Sequence, residues 1–153
     1  MSLRLLLSIL VAVCALTAQK YDGPKPSKPD LPYLKHADTL LPTEAVEAKP
    51  QRKKDDTVYT MAGANSPTRT PLAAPIFLFV SGKINPANLQ LFQMQAKNGH
   101  RELTIRASDE PVRIEVGPLG GALYKIEPYN GLDPGEYALL VSGTNQVFCF
   151  AVF

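Results

Sequence analysis

Residues 88–108 read NLQLFQMQAKNGHRELTIRAS, and whether they form a helix or a hairpin decides the fold class. Asn98-Gly99 is the strongest short-range signal for a two-residue type I′ turn, because both central positions need positive φ. After Gly99 the pattern alternates: Leu103 and Ile105 fall on one side, Glu102, Thr104 and Arg106 on the other. A period of two suits a half-buried strand. The competing reading is a helix that opens at Asn85-Pro86 and stops at Gly99. The alternation favours the hairpin. Before the turn, apolar parity switches between Leu91 and Phe92, which predicts a bulge in that strand.

The same grammar extends in both directions. IFLFV (76–80) is a short continuous apolar run, as expected of a strand buried on both faces. VRIEV (112–116) alternates strictly, GPLGG (117–121) turns the chain, and ALYKIEP (122–128) places Ala122, Tyr124 and Ile126 on one face. YNGLDPGE (129–136) carries two turn signals, Asn130-Gly131 and Asp133-Pro134-Gly135. YALLVSG (137–143) and QVFCFAVF (146–153) end the chain, with both faces of the last strand expected to be buried. Seven candidate strands therefore occupy 75–153, and all six phenylalanines lie there. The expected fold is mainly β, a small antiparallel sandwich or barrel.

LDPGEYALLV (132–141) resembles the turn-then-strand signature of immunoglobulin-like modules in exported bacterial proteins, where a Leu-x-Pro-Gly-x-Tyr stretch leads into a late strand. The resemblance covers about twenty residues, on into the following hairpin. It implies an immunoglobulin-like sandwich. It also casts Tyr137 as a tyrosine-corner residue after the Pro134-Gly135 turn, its ring in the core and its hydroxyl bonded to upstream backbone.

The N-terminal part reads differently. Arg4 precedes an apolar or small run from Leu5 to Ala18, too short for a span of about 20 residues but suited to a secretory leader. The expectation is a signal peptide over 1–18, a mature start at Gln19 and a secreted or periplasmic location. A rival reading lipidates Cys14 as a membrane anchor. Val13 before it is bulkier than the small residue such sites use, so Cys14 reads as part of a discarded leader. Residues 20–56 hold six prolines, eight Lys or Arg, seven Asp or Glu and no Phe. Taken alone, such a stretch buries too little apolar surface to offset the entropy of ordering. The expected organisation is a disordered proline-rich arm over 19–56, an extended transitional segment over 57–74 and a β-domain over 75–153.

Chemistry is sparse. QRKK (51–54) is diluted by Asp55 and Asp56, and the chain carries a formal net charge of only +2, so no nucleic-acid partner is expected. Metal-ligand spacings, a phosphate loop and a nucleophile elbow are all missing from the sequence, and no cofactor is expected. A dyad of Cys149 with His100 would need an electropositive, exposed thiol. Cys149 stands instead between Phe148 and Phe150. Glu115 and Glu127 are expected to face water. The final strand loosely fits the closing strand of an outer-membrane barrel, but the strands are too short for one. With the leader removed, no membrane span is expected.

Asn98, Gly99, Pro134, Gly135, Tyr137 and Cys149 thus carry structural roles and no catalytic ones. The sequence points to an exported binding or structural protein with a protein or envelope-polymer partner. The alternatives are a secreted enzyme with a dispersed site and a small lipid-anchored envelope protein.

Overall fold

The computed structural model describes residues 20–153. The expected leader and Cys14 lie outside the described residues. Six strands precede Pro75: β1 (Tyr33–His36), β2 (Thr39–Pro42), β3 (Glu44–Glu47), β4 (Lys49–Lys53), β5 (Asp56–Ala62) and β6 (Arg69–Thr70). Seven follow: β7 (Ile76–Val80), β8 (Leu89–Lys97), β9 (His100–Ile105), β10 (Ile114–Gly120), β11 (Leu123–Pro128), β12 (Gly135–Val141) and β13 (Gln146–Val152). The fold is mainly β and almost wholly antiparallel, as the strand pattern predicts.

The decisive turn forms a hairpin. Asn98 and Gly99 both have positive φ, 49° and 80°, and Lys97 pairs with His100 across them. Of the rival helix only one 3-10 turn exists, Pro86–Asn88, with the Asn85 side chain accepting the Ala87 N–H at 3.0 Å. The expected bulge at Leu91-Phe92 is absent. β8 pairs with β12 in unbroken register from Leu89↔Val141 to Met94↔Glu136. Parity switches because β8 is covered on both faces: Leu91 packs in one core and Phe92 in another. Two smaller shifts are also seen. The strand expected at Val112 begins at Ile114, leaving Val112 in an isolated bridge to Leu91, and Ala122 is exposed while Leu123 is buried.

Two sheets result. One has the order β10-β11-β7-β1-β2. The other has the order β3-β13-β12-β8-β9-β5-β4, with the short β6 running parallel to β13. β3 and β4 sit at opposite edges of this larger sheet, yet only Ala48 separates them in sequence. The sheet therefore curls into a partly open barrel, closed by one bent strand. The Ala48 N–H donates to the Asn145 carbonyl at 2.8 Å, and its side chain is buried inside the curl.

The outer side of β8, β12 and β13 packs on the five-stranded sheet and makes a sandwich core of Leu34, Phe77, Phe79, Leu139, Phe148, Phe150 and their neighbours. The inner side of the same strands, with β3, β5 and β9, makes a barrel core that includes Met61, Phe92, Met94, Leu103, Val147 and Cys149. From the second residue onward, β12 and β13 are buried at every position. Each large apolar side chain so enclosed contributes about 1.5–3 kcal/mol.

The expected disordered arm is corrected by this architecture. β1 lies inside a sheet, between β7 and β2, with Leu34 fully buried. β3 and β4 close the barrel. The prolines fall where a missing N–H is tolerated: Pro42 ends the edge strand β2, and Pro50 lies in the edge strand β4. Residues 20–56 lack enough apolar surface of their own, but Leu34, Val46 and Ala48 enter cores whose remaining walls come from β5 and from beyond Pro75. Asp30 fixes the approach. At φ 58°, its carboxylate accepts the N–H groups of Gly82, Lys83 and Ile84 at 2.8, 2.8 and 2.9 Å. The transitional segment is also part of the sheets, through β5 and β6, so no boundary falls at 56 or 75.

Candidate functional site

Strand alternation sends Glu44 of β3, Arg101 of β9, Glu136 of β12 and Cys149 of β13 toward the inside of the barrel, near one end. Cys149 is opposite Glu44 in register, and Arg101 is opposite Met61. Arg101 is fully buried, the largest such side chain among the described residues. Its Nη1 donates to Glu44 Oε1 and its Nη2 to Glu44 Oε2, at 2.5 and 3.1 Å. Nη2 also donates to the Ala62 carbonyl at 2.7 Å, and Nε to the Gly63 carbonyl at 2.9 Å. Burial works against the guanidinium charge. The Glu44 hydrogen bonds and the surrounding acidic groups outweigh it and hold the Arg101 pKa above its ordinary value.

The second carboxylate binds the chain that crosses this end. Glu136 accepts the Ser66 N–H at 3.1 and 3.3 Å. Ser66 Oγ donates to the Cys149 carbonyl at 3.2 Å, and Thr68 Oγ1 donates to the Pro42 carbonyl at 2.7 Å. Burial pushes the Glu136 carboxyl above the usual carboxylate range, against the opposing pull of the Ser66 hydrogen bond, Arg101 and Arg69. Residues 62–70 are thus a strap tied across the barrel end by one guanidinium, one carboxylate and two hydroxyls.

Cys149 lies beneath this strap with no exposed surface. Burial pushes its thiol up to about 12, and the nearby Arg101 charge lowers it only in part. A thiolate nucleophile is therefore not available in the folded chain. His100 has the opposite strand parity to Arg101 and bonds outside the barrel, to Glu102 at 2.9 Å, so the imagined dyad with Cys149 does not form.

The residues singled out from sequence do not converge. Asn98 and Gly99 form the tip of the β8–β9 hairpin. Tyr137 is buried, stacked on Phe150 at 5.5 Å between ring centroids, and its hydroxyl donates to the Asp133 carbonyl at 2.7 Å. Pro134 and Gly135 lead into β12 beside that bond. Cys149 alone belongs to the charged cluster. Glu115 and Glu127 are directly opposite on β10 and β11, with Lys125 bridging to Glu127 at 2.7 Å. That like-charge pairing was invisible without the register.

Sequence reasoning missed Arg101, Glu44, Glu136 and Asp30. One signal was present: Arg101 shares the apolar parity of Leu103 and Ile105, which places a cation on the inward side of its strand. Among the described residues, no group of three or more His, Cys, Asp or Glu is placed to hold a metal ion, and no helix is long and apolar enough to cross a membrane. Comparison of the chain with protein-family models, with curated proteins and with solved structures finds no match.

Proposed function

We propose that this chain is an exported, non-catalytic binding or structural protein of the cell envelope or extracellular space. One observation carries the reading. The groups best suited to chemistry, Arg101, Glu44, Glu136 and Cys149, are committed to holding the strap and the barrel end. Among the described residues no buried side-chain nitrogen or oxygen lacks a hydrogen-bond partner. The Arg101, Glu44 and Glu136 side chains are engaged by the protein itself, and the Cys149 thiol is buried beneath them. The leader-like N-terminus supports export, and the exposed sheet faces remain for a partner.

The test is cross-linking of the tagged full-length chain in its native cells, after fractionation, together with assays of the purified chain on generic hydrolase substrates. Recovery from the envelope or medium, cross-linked to an envelope component and without turnover, is the expected result. Confinement to the cytoplasm, or turnover abolished by Glu136→Gln or Cys149→Ala alone, would defeat the reading.

A further inference from the structure

The outward side of β8 changes character halfway along. Leu89 and Leu91 point into the sandwich core, but Gln93, Gln95 and Lys97, the next residues of the same parity, are exposed. The covering layer stops near the bridge between Leu91 and Val112. Beside the uncovered half of β8 lie Glu102 and Thr104 of β9, and Arg106 just beyond it. These six side chains line a cleft of about 180 Å³ with no apolar residue in its wall.

Strand register carries this face further. Glu102 lies between Gln95 of β8 and Thr60 of β5, and Thr60 is opposite Lys49 of β4. One rung across the outside of the barrel is therefore Lys49, Thr60, Glu102 and Gln95. The next holds Gln51 and Thr104 on either side of Val58, which is buried beneath the surrounding side chains, and Lys53 follows opposite Asp56. Amide, hydroxyl and ammonium groups recur at the strand spacing of about 4.8 Å.

Charge separates the ligand classes. Lys49, Lys53, Lys97 and Arg106 face Asp56 and Glu102, and a third carboxylate, Asp109, accepts the Arg106 backbone N–H at 2.8 Å. Glu102 is already engaged, with His100 at 2.9 Å and Lys97 at 3.4 Å. Among the described residues, Lys49, Lys53 and the Arg106 guanidinium form no ion pair within 4 Å. The face presents no Phe, Tyr or Trp ring on which a base or a neutral sugar could stack, and its imidazole, His100, is held by Glu102 at 2.9 Å, which argues against single-stranded nucleic acid. Free cations beside uncharged hydrogen-bonding groups match a chain that carries both carboxylates and hydroxyls.

We infer that the outer face of β4, β5, β9 and the second half of β8 binds an acidic, carboxylate-bearing polysaccharide. This rests on the binding reading above and names its ligand class. Arg106 takes a sugar carboxylate, Lys49 and Lys53 extend the cationic track, and Gln93, Gln95 and Thr104 bond hydroxyls.

The test is calorimetric titration of the purified chain with an oligogalacturonate, with a neutral cello-oligosaccharide and with a single-stranded oligonucleotide. The expected result is saturable binding of the oligogalacturonate that weakens as salt rises. Arg106→Ala should weaken it about tenfold, the usual effect of losing one charge-assisted hydrogen bond. Arg106→Lys should recover part of the loss. Arg106 is exposed, so an unchanged melting temperature separates lost binding from lost folding. Absence of oligogalacturonate binding, indifference to Arg106→Ala, or equal or tighter binding of either other probe overturns the assignment. In those cases an envelope component cross-linked to another face would leave the broader reading standing, whereas hydrolase turnover would remove that reading by itself.

Discussion

The sandwich core and the barrel core share β8, β12 and β13 but are filled with different residues. Between the two sheets, rings meet directly: Phe77 and Phe150 lie 4.7 Å apart between centroids, and Tyr137 stacks on Phe150. Inside the curl, the same strands present one ring, Phe92, with Met94, Ala138, Leu140, Val147 and Cys149, facing Ala48, Met61 and Leu103. A sheet-on-sheet interface about 10 Å thick leaves room for aromatic side chains. A tightly curled sheet brings its inner side chains together, and here aliphatic and sulfur-bearing residues outnumber rings. The sandwich is closed mainly by apolar packing, with the Val112 N–H donating to the Leu91 carbonyl at 2.7 Å, whereas the barrel has an open end that the chain must cross with polar backbone. Arg101 and Glu136 supply the partners for that crossing.

The largest expected effect tests whether both cores depend on the N-terminal segment. Leu34 enters the sandwich and Val46 and Ala48 enter the barrel. A chain beginning at Asp56 loses β1 to β4, and with them an inner strand of one sheet and the closure of the other. It should show no cooperative thermal transition by circular dichroism, while the full-length chain melts in one step. A truncated chain that melts as sharply as the whole would separate the segment from the cores and undo the comparison.

Single substitutions come next, and they should differ in kind more than in size. Phe150→Ala opens a cavity between the sheets and should destabilise the protein by about 3–5 kcal/mol in urea unfolding. Arg101→Ala empties the space of a fully buried side chain and leaves the partly exposed Glu44 without its partner, and should cost about 2–4 kcal/mol. The remedy distinguishes them. Adding Glu44→Gln to Arg101→Ala should recover part of the loss, because the uncompensated carboxylate is part of the cause. Adding it to Phe150→Ala should recover nothing. Equal behaviour in both backgrounds would mean that the barrel end is held by packing, as the sandwich is.

A smaller effect appears in the pH dependence, where two carboxyls act in opposite directions. The Glu136 pKa is raised, chiefly by burial, so the folded state holds that proton more tightly. Its contribution to stability is full below the ordinary carboxylate pKa and is lost as pH rises through the folded value. Asp30 is lowered: its slight burial works upward, but the three amide hydrogen bonds and Lys83 outweigh it. Its contribution is present above the ordinary pKa and is lost as pH falls through the folded value. Glu136→Gln should therefore raise the melting temperature at neutral pH, and the gain should shrink in acid. Asp30→Asn should lower it at neutral pH, with the deficit narrowing in acid. Melting curves of both variants across the acid-to-neutral range check the two signs.

Much of the C-terminal half was legible because its signals are local. Asn98-Gly99 needs only its own backbone preference, and the seven strands after Pro75 are bounded by Gly, Pro and Asn. The burial of Cys149 followed from its apolar neighbours. The first half was misread because its order is borrowed. Tyr33-Leu34 becomes an inner strand only when β7 lies beside it, and no count within residues 20–56 contains β7. The bulge at Leu91-Phe92 failed for a related reason, since a parity switch can mean either a kinked strand or a second core. The pairing of Arg101 with Glu44 joins residues far apart in sequence, and only the parity of Arg101 hinted that it turned inward.

The smallest expected change concerns Cys149, where the comparison can be read from a single atom. Its thiol sits at the inner side of β13, while its neighbours Phe148 and Phe150 face the sandwich. With burial pushing the pKa up to about 12, the thiolate fraction near neutral pH falls on the order of 10³-fold below that of a free cysteine. The strap further blocks approach. Native protein should therefore resist an aromatic disulfide reagent, and labelling should appear only as urea unfolds the chain. The Arg101→Ala variant sharpens the point, because it frees the strap carbonyls of Ala62 and Gly63 from their donor. If the barrel end opens independently of the sandwich, Cys149 in that variant should react at urea concentrations where the Tyr137 environment, followed by near-ultraviolet circular dichroism, is still native. If labelling and the tyrosine signal change together, the shared strands couple the two cores into one cooperative unit.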